Sequence, residues 1–471
     1  MSNPNIIITS LGIRGKIGEL TPNMVLKYAE AYGTLIGKGK NVLLARDTRL
    51  SSRMFRNEII NGLLSVGINI YNLGVVPVPC LLFNMRRNNI HGGIMITGSH
   101  IPEDWNGIKF VDGKTKTFIT SDFLNKIKKI YESKNFKYVD YKNIGSIQKI
   151  EGLTGYIHSI LDNIDISLIK KKKYKVVLDP VAGCGLTVTP QLFIKMRCKT
   201  QIINDSLNSE YPYFPRKIEP KPENLNELSK AVEKSKADIG FAHDIDADRV
   251  AIALNKSGKI LNEDIVLALI VKDYLENHEN CTLVVNVASS RIFQDLAKKF
   301  DANYEEVKVG EVYVSTRLNQ ILNNYSNINV IGGEGSCGGV ILPQLNNTRD
   351  GPLACAKILE IMAKNDLSIS KLVKQLPTKY YMIKERIRYS QDKYKKIINT
   401  LKEEYFNYEI NEIDGLKFYN KHSWFLIRKS GTEPIIRIYV ESEKKNRTKK
   451  LSDEIMELIN NITKEKSTKE E

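Results

Sequence analysis

Short apolar runs alternate with longer segments of helical period across the first three-quarters of the chain. Asn41-Val42-Leu43-Leu44-Ala45, Gly93-Ile94-Met95-Ile96, Lys175-Val176-Val177-Leu178 and Ala237-Asp238-Ile239-Gly240-Phe241 predict strands. So do Leu283-Val284-Val285-Asn286-Val287 and Ile328-Asn329-Val330-Ile331. Between them, Met24 to Ile36 and Asp264 to Glu276 read as amphipathic helices. This alternation predicts α/β layers, with sheets covered by helices. Several strands run directly into polar or glycine-rich loops, leading to Ser99, Asp244 and Glu334. Open α/β sheets place ligands at the carboxyl ends of their strands, so three such loops predict three α/β units facing one cleft. The last hundred residues or so differ: two helical patterns flank Trp424-Phe425-Leu426-Ile427-Arg428 and Ile435-Ile436-Arg437-Ile438-Tyr439-Val440, which predicts a smaller α+β unit. Lys464 to Glu471 reads as a frayed tail.

At 471 residues the chain is long enough for several domains, and 42% hydrophobic with 26% charged residues is ordinary for a soluble globular protein. The longest apolar run, Ile265 to Val271, falls far short of the ~20 residues that cross a bilayer. Met1-Ser2-Asn3-Pro4-Asn5 lacks the basic start and apolar core of a signal peptide, so a cytoplasmic location is expected. Six scattered cysteines without a C-x-x-C pair are expected to be reduced. Only Cys184 and Cys337 stand in glycine-rich loops where oxidation would matter. The net charge of +16 comes from widely spread lysines, without an aromatic-rich basic ribbon. A solvated surface is therefore expected, with neither nucleic acid nor membrane as partner.

The candidate chemistry centres on Asp244-Ile245-Asp246-Ala247-Asp248-Arg249. Side chains alternate along an extended chain, so acids at every second position are expected to point the same way. Like charges held that close repel unless a hard cation takes up their oxygens, and Arg249 adds a positive charge suited to phosphate. An ordinary acid-rich turn is the plainer alternative. A calcium EF-hand loop is excluded, because its sixth and twelfth positions would be Arg249 and Asn255 rather than glycine and an acid.

Thr97-Gly98-Ser99-His100-Ile101-Pro102 exposes a serine on a tight turn, either a nucleophile or a plain turn residue. Adjacent residues are not expected to pair as a Ser-His-Asp triad does, and there is no G-x-S-x-G elbow. Arg428-Lys429-Ser430-Gly431-Thr432-Glu433-Pro434, followed by Arg437, offers hydroxyls, turn amides and two guanidiniums to a phosphate. Gly332-Gly333-Glu334-Gly335-Ser336-Cys337-Gly338-Gly339 offers Glu334 and Ser336 to sugar hydroxyls, or is simply a glycine turn.

Together these loops resemble the α-D-phosphohexomutase superfamily, which includes phosphoglucomutase, phosphomannomutase and phosphoglucosamine mutase. The family's T-x-S-H-x-P, D-x-D-x-D-R, G-E-x-S and R-x-S-G-T-E-P loops occur here in order. Thr9-Ser10-Leu11-Gly12-Ile13-Arg14-Gly15 resembles the family's N-terminal G-T-S-G-x-R-G and Arg46-Asp47-Thr48-Arg49 matches its R-D-T-R, so the resemblance covers nearly the whole chain.

The resemblance implies three related mixed α/β domains plus a smaller C-terminal α+β domain around a central cleft, at 1–148, 149–254, 255–375 and 376–471. It implies that Ser99 carries a phosphoryl group, with Mg²⁺ held by Ser99, Asp244, Asp246 and Asp248. His100 and Lys109 would assist proton transfer, and Arg14 would lie beside the phosphoserine. Arg249, Lys308, Glu334, Ser336, Arg428, Ser430, Gly431, Thr432 and Arg437 would bind the substrate. The implied activity interconverts hexose 1- and 6-phosphates through a bound hexose 1,6-bisphosphate, with closure of the last domain to exclude water. Sugar phosphates are the implied partners, and the chain would be a monomer or homodimer. Glucose and mannose phosphates lead, glucosamine phosphate is the alternative within the family, and a metal-dependent sugar phosphatase or a non-catalytic anion-binding protein are the alternatives outside it. Ile101, Ile245, Val78 and Cys337 depart from common family patterns.

Overall fold

The computed structural model of the chain describes residues 6–9, 11–87, 89–206, 213–377, 379–389, 391–429 and 435–464. Among them, strands group into four sheets. The first runs in the order Ile6–Thr9, Gly12–Lys16, Trp105–Asp112, Gly92–Ile96, Asn41–Arg46, Asn69–Val75, Ile147–Lys149. The second is Val250–Leu254, Ile239–His243, Lys175–Asp179, Lys199–Ile202, and the third is Asn303–Val307, Cys281–Asn286, Asn329–Glu334, Gly339–Ile341.

One plan recurs in all three. Parallel strands are followed by a last strand that returns antiparallel: Gly92–Ile96 pairs back with Trp105–Asp112, Ile239–His243 with Val250–Leu254, and Asn329–Glu334 with Gly339–Ile341. The loops of Ser99, the three aspartates and Ser336 are the connections of these three hairpins. The predicted strands appear with small shifts at their ends. Ala237-Asp238 lies just before the ladder, where the Asp238 amide donates to the Lys175 carbonyl and its carboxylate accepts the Lys175 amide, both at 2.8 Å.

The fourth sheet is antiparallel: Tyr381–Arg388, Ile435–Ser442, Ser423–Lys429, Leu416–Tyr419, Glu409–Asn411. Helices Gln391–Glu404 and Lys445–Lys464 accompany it, as the two helical patterns predicted. Its core is its own, with Ile397, Leu401, Phe418, Phe425, Ile436 and Ile455 buried together. A larger core instead runs through the first three units, from Leu43 and Met95 through Tyr156 and Phe241 to Leu267, Leu359 and Leu372, beside a second core of the first unit around Tyr32, Phe55 and Phe110. No helix among the described residues is long and apolar enough to cross a membrane.

Candidate active site

Ser99 stands in its hairpin loop with φ of 52°, the left-handed region that residues with a Cβ avoid. Arg49 holds it there. Its buried guanidinium donates to the carbonyls of Ser99 (2.9 Å), Ile101 (2.6 Å), Pro102 (2.6 Å) and Trp105 (2.9 Å), with Asp47 Oδ2 3.3 Å from its Nε. Ile101 thus contributes a backbone carbonyl, a contact that does not depend on its side chain. The Ser99 amide donates to Thr97 Oγ1 at 2.8 Å, and the Thr97 hydroxyl donates to Asp246 Oδ2 at 3.3 Å. One side chain therefore separates the serine backbone from the acids.

Contrary to the expectation for adjacent residues, Ser99 Oγ and His100 Nδ1 do meet, at 3.3 Å. Arg249 Nη2 donates to the same nitrogen at 3.0 Å, so Nδ1 presents its lone pair. Burial and then the charges of Arg249, Arg14, Arg349 and Lys109 hold His100 well below the ordinary histidine range, leaving it neutral. Its partners are donors rather than the orienting carboxylate of a Ser-His-Asp triad. Arg14 and Lys109 lie on neighbouring antiparallel strands, opposite Gly107 and Gly12 respectively. Burial lowers Arg14 to about 10, which leaves it cationic at neutral pH.

The aspartates do not continue the strand before them. Ala247 adopts φ of 50° and its amide donates back to the Asp244 carbonyl at 3.2 Å. The acids therefore converge around a turn, and the expectation of an extended alternating run is corrected. One oxygen from each lies within 4.8 Å of the others, and all three residues are buried. Asp244 Oδ2, Asp246 Oδ1 and Asp248 Oδ1 accept no hydrogen bond. Buried carboxylate oxygens without hydrogen bonds are costly, and three acids each bringing one oxygen that close together fit a hard divalent cation such as magnesium.

Charge around the acids is uneven. Burial, with Asp248 and Asp246 adding like charge, pushes Asp244 well above the usual carboxylate range. Burial acts on Asp246 too, but the Lys109 ammonium 3.0 Å away, with Arg349 and Arg249, pulls it down to about 2. Lys109 also stands 3.9 Å from Asp248, and Arg249 Nε lies 3.6 Å from Asp244 and 3.7 Å from Asp248.

The unexpected Ile245 is an anchor. It is fully buried, and its carbonyl accepts the Cys184 amide at 2.7 Å. Gly183 makes room, since a Cβ there would come within 2.6 Å of that carbonyl oxygen. Val78 contributes its amide, which donates to the Asp246 carbonyl at 3.0 Å. His243, lowered to about 4 by burial, is neutral; Nδ1 donates to the Arg249 carbonyl at 2.9 Å, closing the base of the turn.

Arg349 is a residue that sequence reasoning missed. Its buried guanidinium ion-pairs with Asp248 through Nη2, reaches Glu334 Oε2 at 2.8 Å through Nη1, and stands 3.4 Å from Glu311 Oε2 through Nε. It thereby joins the aspartate loop to the glycine-rich loop. Asp350 next to it accepts the Leu353 amide at 2.9 Å and caps helix Gly351–Asn365, which fixes where Arg349 emerges. Glu334 is well used: Oε1 also accepts from Asn286 Nδ2 (2.9 Å) and the Gly310 amide (2.8 Å). Ser336 accepts Lys384 Nζ on its carbonyl at 2.8 Å, and Lys384 also pairs with Glu263. Cys337 receives Arg349 Nη1 on its sulfur at 3.4 Å, and burial pushes its thiol to about 12. Cys184 is likewise raised well above the usual thiol range by burial, so neither reads as a reactive thiolate.

Arg428 and Arg437 face each other across the Ser423–Lys429 and Ile435–Ser442 ladder. Arg428 Nη2 pairs with Asp414 Oδ2 at 3.0 Å. Lys308 is exposed just after strand Asn303–Val307. Ser430, Gly431 and Thr432 lie outside the described residues.

Family models described as "Phosphoglucomutase/phosphomannomutase, alpha/beta/alpha domain" I, II and III match residues 6–138, 154–258 and 262–380, and the corresponding C-terminal domain matches 383–458. The chain is 34% identical to a phosphoglucosamine/phosphogalactosamine mutase of Sulfurisphaera tokodaii, over 95% of this chain and 98% of that one. It is also 34% identical to a phosphoglucomutase/phosphomannomutase of Thermococcus kodakarensis, over 93% and 95%. In fold it is similar to a phosphoglucomutase/phosphomannomutase family protein from Burkholderia thailandensis, with TM-score 0.84 and 23% identity over 98% and 99% of the two chains. A more distant fold match is the N-acetylphosphoglucosamine mutase of Aspergillus fumigatus in complex with GlcNAc-6P and magnesium, with TM-score 0.62 and 12% identity over 97% and 96%.

Proposed function

We propose, from the premise that the chain belongs to the phosphoglucomutase/phosphomannomutase family of α-D-phosphohexomutases, a phosphoserine mechanism centred on Ser99. The chain is accordingly a phosphohexomutase, an isomerase that moves phosphate between the 1- and 6-positions of a hexose. The observation that carries the assignment of Ser99 is its strained turn, linked through Thr97 to Asp246, one of three clustered buried carboxylates.

In this reading Ser99 carries the phosphoryl group and donates it to the free hydroxyl of a hexose monophosphate. The resulting 1,6-bisphosphate reorients, and its other phosphate returns to Ser99. Asp244, Asp246 and Asp248, with the Ser99 phosphate, would hold Mg²⁺. When bound, that ion supplies charge neutralisation at the transferring group. Neutral His100 and Lys109 move the proton at the reacting hydroxyl, while Arg14 and Arg249 offset phosphate charge. Arg428 and Arg437, with Ser430, Gly431 and Thr432, grip the phosphate that is not reacting. Lys308, Glu334 and Ser336 contact the sugar. That second phosphate grip favours a mutase over a phosphatase, since hydrolysis has less need of it.

Glucose and mannose phosphates are the leading substrates. Glucosamine phosphate is the second reading, favoured by the names of three relatives at the same 34% identity. The four units are taken as 1–148, 149–254, 255–375 and 376–471, in a cytoplasmic monomer or homodimer. The test is incubation with Mg²⁺, a trace of glucose 1,6-bisphosphate and, separately, glucose, mannose or glucosamine 1-phosphate. Appearance of the 6-phosphate supports the reading, and its relative rate ranks the sugars. Release of inorganic phosphate without any 6-phosphate sinks it.

A further inference from the structure

Asp414 occupies the turn between strands Glu409–Asn411 and Leu416–Tyr419 of the fourth sheet. Gly415 beside it has φ of +87°, and a Cβ there would lie 2.3 Å from the Ile427 carbonyl oxygen and 2.8 Å from Arg428 Cβ. Glycine lets this turn lie directly against the strand that carries Arg428. The Asp414 carboxylate is thereby brought to two groups at once. Its Oδ2 stands 3.0 Å from Arg428 Nη2 and accepts the Val309 amide of the third unit at 3.0 Å.

The contacts continue from there. Gly310, next to Val309, donates its amide to Glu334, and Glu334 pairs with Arg349, which pairs with Asp248. A single run of hydrogen bonds and ion pairs thus connects the arginine of the fourth unit to the aspartate turn of the second. Asp414 is the member of that run that crosses between the third and fourth units. Its side chain is 22% exposed and that of Arg428 13%, so both stand at the edge of water rather than deep inside.

We propose that Asp414 is a positioning residue for the mutase reaction, one carboxylate setting both the direction of the Arg428 guanidinium and the seat of the 308–310 loop. This rests on the phosphohexomutase reading above and extends it to a residue that touches neither sugar nor phosphate. Arginine loses considerable rotamer freedom when it takes hold of a phosphate, and an aspartate already fixing one Nη reduces that cost before the ligand arrives. The same oxygen holds Val309, so the loop carrying Lys308 and the Gly310 donor to Glu334 is set with it. Phosphate capture in one unit and sugar presentation in the next are then adjusted together.

Asp414→Asn keeps an acceptor for Val309 but removes the charge, and Asp414→Glu keeps the charge. In the full chain, Asp414→Asn is expected to raise KM for the best hexose 1-phosphate by roughly 5- to 20-fold, with kcat changed by no more than about threefold. Asp414→Glu should recover most of the loss. Adding Arg428→Gln to Asp414→Asn should raise KM by less than Arg428→Gln does alone in the wild-type chain, because the two residues act as one unit. Calorimetric affinity for glucose 6-phosphate and glucosamine 6-phosphate reads the same shift without turnover. Unchanged KM and affinity in Asp414→Asn, or fully additive effects with Arg428→Gln, overturn the proposal. A wild-type chain that isomerises no hexose phosphate but whose sugar-phosphate affinity still falls in Asp414→Asn overturns the mutase reading and leaves the positioning role standing.

Discussion

The serine-and-aspartate side of the site and its phosphate side rest on different ground. The first three units share one continuous apolar core, and their loops are stitched together by buried polar groups. The Val78 amide holds the Asp246 carbonyl, Thr97 holds its carboxylate, and Arg349 joins Asp248 to Glu334. The fourth unit has a separate core and meets the third through a small apolar cluster of Val287, Ala288, Trp424, Leu426 and Tyr439, supplemented by polar links. One of those links ends on Glu441, which accepts the Arg291 amide of the third unit at 2.8 Å and Trp424 Nε1 of its own unit at 2.6 Å. The difference teaches where precision and movement are divided. Phosphoryl transfer depends on fixed geometry and preorganised charge, which a fused core supplies. In the proposed mechanism the grip on the second phosphate would serve a substrate in two orientations and close over it, which suits a separately folded unit.

The contrast can be broken most severely from the rigid side. Asp246→Asn removes the charge that faces Lys109 and one of the three unpartnered oxygens, and turnover should fall about 100-fold or more, as a Mg²⁺ titration of the rate would register. Arg349→Met leaves Asp248, Glu334 and Glu311 buried with their shared partner gone, at a cost of about 3–5 kcal/mol. Denaturant unfolding should record that loss in the transition of the first three units. Ile436→Ala, in the core of the fourth unit, should cost about 2–5 kcal/mol. The loss should fall on the fourth unit's transition, read by the fluorescence of Trp424, while the larger transition keeps its midpoint. Equal loss in both transitions would mean that the two regions are one cooperative body.

A smaller effect sharpens the contrast through pH. Burial raises Glu441 from an ordinary glutamate value of 4.5 to about 7. A raised carboxyl pKa means that the folded joint keeps a proton which the unfolded chain has released. Its contribution is therefore complete below pH 4.5 and is lost as pH rises through about 7. Limited proteolysis between the third and fourth units should accelerate from pH 5.5 to pH 8, and Glu441→Gln should flatten that dependence.

How far the sequence carried this picture depends on distance along the chain. The hairpin loops were legible because Ser99 with His100, the aspartates with Arg249, and Glu334 with Ser336 are local groupings following recognisable strands. The repeated α/β units and the distinct last unit were legible for the same reason. What the pattern misread was conformation: Ala247 in the left-handed region turns the aspartates toward one another, which alternation along a strand does not describe. What it missed was pairing at long range. Asp248 and Arg349 are 101 residues apart, and Arg349 stands in a run that reads only as a helix start. Arg49 was visible within a motif, but its grip on four carbonyls of the Ser99 loop exists only in three dimensions. Ile245 stands apart from the family pattern in sequence, and only the fold brings Gly183 opposite it to leave space for its carbonyl.

The claim on which everything else depends is that Ser99 carries the phosphoryl group, and it can be read on the protein itself. The full chain would be incubated with glucose 1,6-bisphosphate and Mg²⁺, digested, and its peptides weighed. One added phosphoryl group on the peptide containing Ser99, absent in Ser99→Ala and lost when glucose 1-phosphate is added as it becomes the bisphosphate, is the predicted result. A fully active Ser99→Ala enzyme, or a phosphoryl group on another residue that transfers to the sugar, would contradict the account.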